Sequence, residues 1–258
     1  MYKKSHIEDM LLSTFNKREV IAKAELWDFV RKLDPTIKEY QLDYIIVDLK
    51  KKGKLQEVGR GRYTIGNMVE FRPVPDKVIT WLARHLNLVG ELEGPYDIWS
   101  TDWLNEFIEL QATSTMYIVG IEKASMERVF FSLQEQDNRN VPHVFLDPDR
   151  MVIEKYIAGT SELTVVMPFI SRAPVEVRDK VSLPTLEKIL VDLFCDTDIF
   201  FAYQGSQLVK IFQAAFSKYP INFSRLFNYA RRRHRMEDLT AYLFKHTDAK
   251  TIINSARK

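Results

Sequence analysis

Residues 36–65 read TIKEYQLDYIIVDLKKKGKLQEVGRGRYTI, and this stretch decides how the first part of the chain folds. Its first half repeats apolar residues at helical spacing, namely Leu42, Ile45, Ile46 and Leu49. Thr36 and Glu39 have the spacing of a capping box, which predicts that the helix begins there. Gly53 predicts where the helix ends.

The second half of the stretch predicts a β-hairpin, with strands over 54–58 and 62–65 joined by a turn that carries two glycines. Upstream, helical spacing predicts one helix that Ser5 caps and a second helix over 24–33. Three helices closed by a hairpin are the parts of a winged helix-turn-helix, which we predict for residues 1–66.

The third helix has a predicted exposed face that suits nucleic acid. When the apolar stripe is buried, Tyr40 and Tyr44 point away from the core. In helix-turn-helix proteins the second helix of the motif lies in the major groove, and basic residues nearby contact phosphates or the minor groove. The predicted partner is therefore double-stranded DNA. The predicted DNA-binding residues are Lys38, Tyr40, Gln41, Tyr44, Lys51, Arg60 and Arg62.

Two alternatives stay open for this region. Winged helices also act as protein-interaction modules, and Asp43 and Asp48 on the third helix would repel phosphate. The lysine run at 50–52 also fits a solvated helix end, where the helix dipole favours cations.

Residues 76–258 have the mixed pattern of an α+β domain with a helical C-terminal third. Segments rich in Val, Ile and aromatic residues predict strands over 116–121, 144–146 and 163–169. Residues 66–75 contain two prolines and are the predicted connector between the domains. The predicted helices cover 76–88, 101–107, 125–134, 184–194, 207–216, 222–233 and 237–244.

Composition and charge restrict the class of protein. The 258 residues are 46% hydrophobic and 28% charged, and no run of 18 apolar residues occurs, so we expect a cytoplasmic protein without a membrane partner. The single Cys195 excludes an internal disulfide and a multi-cysteine metal site. The net charge is +4 over 1–66, −7 over 67–150 and +5 over 151–258, which favours polyanion contacts at the two ends.

No established cofactor or metal motif is present. The sequence lacks the glycine-rich phosphate loops, and its five histidines are scattered without the spacing of a metal site, so we expect neither a cofactor nor a metal. Asp102 and Glu122-Lys123 resemble the acid-acid-lysine set of metal-dependent nucleases, but adjacent residues of a strand point to opposite faces. We therefore expect no enzyme, and a nuclease to which a winged helix delivers DNA stays as the alternative.

Two later helical segments have distinctive charges. Lys188 and Asp192 are spaced i,i+4 beside an apolar stripe, which predicts an ion pair on a central helix. The segment 222–235 ends in a cluster that suits an acidic protein surface or RNA phosphates, although a solvated helix end explains it equally well. The predicted partner-binding residues are Arg231, Arg232, Arg233 and Arg235.

The order of these parts resembles the AbiEi-like antitoxins of type IV toxin–antitoxin and abortive-infection systems. A winged helix-turn-helix is followed by Pro-Thr-x-Glu-Lys-x-Leu-x-Asp-Leu at 184–193, Leu-x-x-Tyr-Ala-Arg-Arg at 226–232 and Leu-x-x-Tyr-Leu at 239–243. The resemblance implies a transcriptional autorepressor that binds promoter repeats. It further implies that residues 76–258 oppose a cognate nucleotidyltransferase-like toxin, and it implies no catalytic residues.

Overall fold

The computed structural model describes residues 4–15, 20–66, 70–88, 94–109, 114–136, 140–157 and 161–247, and it has an α+β fold. Its helices are α1 (Lys4–Phe15), α2 (Lys23–Leu33), α3 (Glu39–Lys51), α4 (Lys77–Leu88), α5 (Met126–Gln134), α6 (Arg150–Ile157), α7 (Leu186–Cys195), α8 (Ser206–Lys218), α9 (Phe223–Arg232) and α10 (Met236–His246). Its strands are β1 (Ile21–Ala22), β2 (Leu55–Gly59), β3 (Arg62–Ile65), β4 (Asp97–Ser100), β5 (Thr115–Ile121), β6 (Val144–Leu146), β7 (Glu162–Pro168), β8 (Val175–Arg178) and β9 (Val181–Pro184).

The chain forms two compact units. The first unit contains residues 1–71 together with 215–227 and 240–258, and the second contains 72–214 and 228–239. The first unit therefore includes C-terminal residues in addition to the region for which a winged helix-turn-helix is predicted.

In the first unit, α1, α2 and α3 pack around one apolar core beside a three-stranded sheet. The predicted stripe of α3 is buried, and it packs with residues of α1 and α2 such as Leu11 and Leu26. The sheet has the order β1-β3-β2, and all its strand pairs are antiparallel. This arrangement is compatible with a helix-turn-helix, and the winged helix stays a prediction.

The start of α3 differs from the predicted capping box. The Asp34 carboxylate accepts hydrogen bonds from both the backbone N–H and the hydroxyl of Thr36, at 3.0 and 2.6 Å. Thr36 is thereby held in the turn between α2 and α3, and the helix begins at Glu39. Its first turn is closed instead by the Gln41 side-chain oxygen, which accepts the Lys38 N–H at 2.8 Å.

In the second unit, a four-stranded sheet of order β4-β5-β7-β6 has helices on both faces. Strand β4 is antiparallel to β5, whereas β5, β7 and β6 are parallel. One face, with Ile98 and Val119, packs against α4 and α5. The opposite face carries Asp97 and Trp99; the Lys188 ammonium of α7 contacts Asp97, and the Trp99 ring packs against that of Phe200.

Most elements predicted after residue 75 are confirmed, and some are missed. The predicted strands correspond to β5, β6 and β7, and six of the seven predicted helices correspond to α4, α5, α7, α8, α9 and α10. The segment predicted as a helix over 101–107 forms a 3₁₀ helix at Thr101–Glu106. Strands β4, β8 and β9 and helix α6 were not predicted from the sequence.

Candidate nucleic-acid interface and arginine cluster

Helix α3 presents aromatic rings to solvent. Tyr40 is 56% exposed and Tyr44 is 68% exposed, and Val47, one turn further on, is 48% exposed. The two tyrosine rings meet edge to face, with 6.4 Å between their centroids. We refer to Tyr40, Tyr44 and Val47 as the α3 face. Large apolar side chains grouped on one exposed helix face are typical of a binding surface.

The acidic residues beside the α3 face are paired with lysines. The Lys23 ammonium lies 2.7 Å from Asp43 Oδ1, and Lys52 lies 2.9 Å from Asp48 Oδ2. The hydrogen bond from Lys23 to the Asp43 side chain raises the pKa of Lys23. Local ion pairs therefore offset the negative charge that would repel a polyanion.

The lysine run at the end of α3 is partly committed to internal ion pairs. Lys50 lies 2.6 Å from Glu57 Oε2, and Lys52 also lies 2.7 Å from Glu8 Oε2. Lys51 ends the helix, and its side chain falls outside the described part of the structure. The predicted contacts Lys38 and Gln41 are exposed beside the α3 face. Part of the positive charge of the lysine run is thus neutralised within the first unit.

The turn between β2 and β3 carries the remaining cations. Gly61 has a positive φ of 66°, which fits the conformation that glycine adopts readily, and its carbonyl oxygen accepts the Lys23 N–H at 2.7 Å. Arg60 is exposed and Arg62 is half-buried. No carboxylate in the described ranges forms an ion pair with either guanidinium. Their charges are available to a ligand.

The arginine cluster at the end of α9 divides into surface and buried members. Arg231 and Arg232 are exposed, and their guanidinium groups donate to Asn228 Oδ1 at 2.9 Å and to Ser171 Oγ at 2.8 Å. Arg235 is half-buried; its Nε lies 2.8 Å from Asp238 Oδ2, and its guanidinium stacks on the Phe194 ring. The predicted partner-binding residues therefore differ in exposure and in their local partners.

Arg233 is used inside the second unit and is not available to a partner. Its side chain is 13% exposed, and Nη1 lies 2.7 Å from Asp192 Oδ1 and 2.7 Å from Asp196 Oδ2. A guanidinium that two carboxylates hold in this way is a structural group. This geometry removes Arg233 from the predicted partner-binding set.

The same carboxylates belong to a buried charge network. We use this name for Asp97, Lys188, Asp192, Asp196 and Arg233. The Lys188 ammonium lies 2.7 Å from Asp192 Oδ2, which confirms the predicted pair, and 2.9 Å from Asp97 Oδ2. The Tyr229 hydroxyl donates to Asp192 Oδ1 at 2.7 Å. Ion pairs thereby join α7 to β4 and to Arg233, which follows α9, and a hydrogen bond joins α7 to Tyr229 of α9.

Burial and neighbouring charges together set the protonation of the network. Desolvation raises the pKa of Asp97 to about 6, although the Lys188 charge acts in the opposite direction. For Lys188, burial favours the neutral amine, but the Asp192 and Asp97 carboxylates outweigh it and raise the pKa well above its usual range. The lysine is therefore held charged between two carboxylates.

The alternative nuclease residues are far apart. Asp102 accepts a hydrogen bond from the Thr115 hydroxyl, at the first residue of β5, whereas Glu122 follows the last residue of that strand. Seven strand residues span roughly 20 Å at about 3.3 Å per residue. The two carboxylates therefore cannot share a metal ion, and no group of three potential ligands that could hold one was found among the described residues.

Two features of this geometry were not predicted from the sequence. Asp97 opposes Gly120 in the β4–β5 ladder, where a Cβ atom would lie 2.3 Å from Asp97 Oδ1. Ser224, at the start of α9, contacts the β2–β3 turn. For the first feature, the one available signal was an acid in β4 and a glycine in β5.

The model of one protein family matches residues 41–249, and that family, DUF6577, is described as a family of unknown function. No curated protein and no solved structure was found to be similar to the chain. Within the described ranges, every helix is too short or too polar to cross a bilayer.

Proposed function

Because this chain belongs to DUF6577, a family of unknown function, we propose its role from its own residues and from its resemblance to AbiEi-like antitoxins: a DNA-binding transcriptional autorepressor and antitoxin. It acts in the cytoplasm and opposes a nucleotidyltransferase-like toxin. The observation that carries the proposal is the α3 face, where Tyr40 and Tyr44 are exposed while the neighbouring acids are paired with lysines.

Repression in this proposal is occupancy of the promoter. Helix α3 enters the major groove, where Tyr40 and Tyr44 contact thymine methyl groups and phosphates. Arg60 and Arg62 contact the DNA backbone, or the minor groove next to the major groove that α3 occupies. The arginines supply affinity that depends on salt and little on sequence, and the α3 face supplies the discrimination between sequences.

The antitoxin part of the proposal assigns Arg231 and Arg232 to contact with an acidic toxin surface. Both side chains are exposed, whereas Arg233 is held by Asp192 and Asp196. The support is the exposed charge of this pair together with the resemblance of the chain to AbiEi-like antitoxins.

The DNA-binding proposal is tested by titrating a duplex taken from upstream of the coding sequence at increasing salt. For Arg60→Ala with Arg62→Ala, we expect weaker binding to all sequences and a salt slope reduced by about two units. Lys50→Ala is the matched control because Lys50 already pairs with Glu57, and we expect it to leave the slope nearly unchanged. An unchanged slope in the double variant would remove the turn from the interface.

In the antitoxin proposal, the gene beside that of this protein encodes the toxin. The test is to induce that gene in cells with and without this protein and to measure growth. We expect Arg231→Glu with Arg232→Glu to abolish the rescue and to leave promoter binding intact. Full rescue by that variant would exclude these arginines as the toxin contact. Absence of toxicity from the neighbouring gene would contradict the antitoxin role itself.

A protein-interaction module is the second candidate function, and the apolar character of the α3 face favours it. Tyr40, Tyr44 and Val47 together form an exposed apolar group of the kind that binds protein surfaces. If the chain lacks salt-sensitive DNA binding, and Tyr44→Ala disrupts a complex with a co-purified protein, this candidate replaces DNA binding.

A further inference from the structure

The β2–β3 turn is held by a serine from a distant part of the sequence. The Arg60 N–H donates to Ser224 Oγ at 3.2 Å, and a Cβ atom on Gly59 would lie 3.4 Å from the same oxygen. Both segments belong to the first compact unit. Two consecutive residues of the turn thus lie against one hydroxyl group.

Ser224 is itself fixed in position. It is the second residue of α9, whose first turn is closed by the Asn222 side chain, since Asn222 Oδ1 accepts the Arg225 N–H at 3.0 Å. The preceding Phe223 is buried, and its ring packs against Phe216 with 5.4 Å between centroids. The hydroxyl is therefore presented by a packed helix start.

The ladder between β2 and β3 is irregular beside the turn, so contacts from outside the hairpin matter for the position of the turn. The β2–β3 register shifts between Glu57 and Gly59, so the ladder is interrupted just before the turn. The turn has a second anchor at Gly61, whose carbonyl oxygen accepts the Lys23 N–H. Residues 60 and 61 are thus held on two sides, by the start of α9 and by the start of α2.

We propose that Ser224 is a positioning residue of the DNA-binding surface, which fixes the turn so that Arg60 and Arg62 are presented to the phosphates. The proposal rests on the DNA-binding function argued above. A turn that is ordered before binding loses less conformational freedom when it meets DNA, so the hydroxyl contributes affinity without contacting DNA.

The test uses the full chain and measures amide hydrogen exchange together with binding to the upstream duplex. Loss of one neutral hydrogen bond predicts that Ser224→Ala speeds exchange at the Arg60 amide and weakens DNA binding by about three- to tenfold. The salt slope stays that of the wild type because both arginines are present. Ser224→Thr keeps the hydroxyl and is expected to restore both values.

The outcomes separate this inference from the proposed function. If the wild type binds the duplex and Ser224→Ala binds equally well, the positioning role is wrong and the DNA-binding function stands. A reduced salt slope in Ser224→Ala would also overturn it, since the serine would then act through phosphate contacts. If the wild type does not bind the duplex, the proposed function fails and this role fails with it.

Discussion

Helices α3 and α7 are both amphipathic and both carry lysine and aspartate, yet they place these charges in opposite environments. In α7 the Lys188 and Asp192 side chains are only 5% and 2% exposed, and they pair inside the unit. In α3 the Asp43 side chain is 53% exposed and pairs with Lys23 at the surface. The charges of α7 are committed to the fold, whereas those of α3 border a surface that a ligand can reach.

The largest effect is expected at Lys188. Lys188→Met keeps the volume of the side chain but leaves Asp97 and Asp192 buried without the cation that they share. Asp192 keeps the Arg233 guanidinium, whereas Asp97 loses the cation that it pairs with. Removing one partner of a buried ion pair costs about 3–5 kcal/mol, because the charge left behind is uncompensated. Urea denaturation of the variant measures this loss in the free energy of unfolding.

The matched control is Lys50→Met, which breaks an ion pair of similar length with Glu57 at the protein surface. Surface pairs contribute less than about 1 kcal/mol, so this variant is expected to unfold close to the wild type. If both variants lose the same free energy of unfolding, the distinction between the buried charges of α7 and the surface charges of α3 is contradicted.

The next effect is a pH dependence from Asp97. Its pKa is about 6 in the folded protein against 3.8 for the ordinary side chain, so the folded state holds this proton more tightly than the unfolded chain. Protonation of Asp97 stabilises the folded state, and this contribution is fully present below pH 3.8 and is lost as the pH rises through about 6. At 1.36 kcal/mol per pKa unit, the loss approaches about 3 kcal/mol.

Asp97→Asn isolates this contribution because asparagine has a similar shape and does not titrate. The stability of the wild type relative to this variant is expected to fall between about pH 4 and pH 7. Chemical denaturation across that range measures the difference. A difference that stays constant with pH would show that Asp97 has an ordinary pKa in the folded protein.

A smaller effect is expected from Gly120→Ala. The added Cβ would lie 2.3 Å from Asp97 Oδ1, and the fully buried carboxylate has little room to move. Overpacking of this kind costs about 1–3 kcal/mol. Because Asp97→Ala removes the opposing oxygens, Gly120→Ala is expected to cost much less in that background. Additive effects in the double-mutant cycle would show that the two positions are independent.

The sequence predicts the local part of the buried charge network and misses its tertiary part. Lys188 and Asp192 lie one helical turn apart, so their pairing follows from spacing alone. Arg233 and Asp97 reach the same pair from distant segments, and helical spacing carries no information about that approach. A run of arginines on a helix end therefore looks uniform in the sequence, although the Arg233 side chain is only 13% exposed.

The same limit applies to the candidate nucleic-acid interface. The exposed positions of Tyr40 and Tyr44 follow from the period of the buried stripe on α3. The start of α3 at Glu39 was not predicted, because the Asp34 carboxylate accepts the hydrogen bond of the Thr36 hydroxyl and Thr36 does not cap the helix. The contact of Ser224 with the Arg60 amide joins segments far apart in the sequence, and no local motif predicts it.

The smallest effect on stability is expected from the α3 face, and it sharpens the comparison within a single helix. Tyr44→Ala removes a side chain that is 68% exposed, so the free energy of unfolding should change by no more than about 0.5 kcal/mol, while affinity for the upstream duplex falls. Leu42→Ala, on the buried side of α3, is the contrasting variant and should cost about 2–5 kcal/mol. Because Tyr44→Ala leaves the fold intact, a change in DNA affinity reports on the contact of Tyr44 with DNA, and unchanged affinity in the stable variant would remove Tyr44 from the DNA interface.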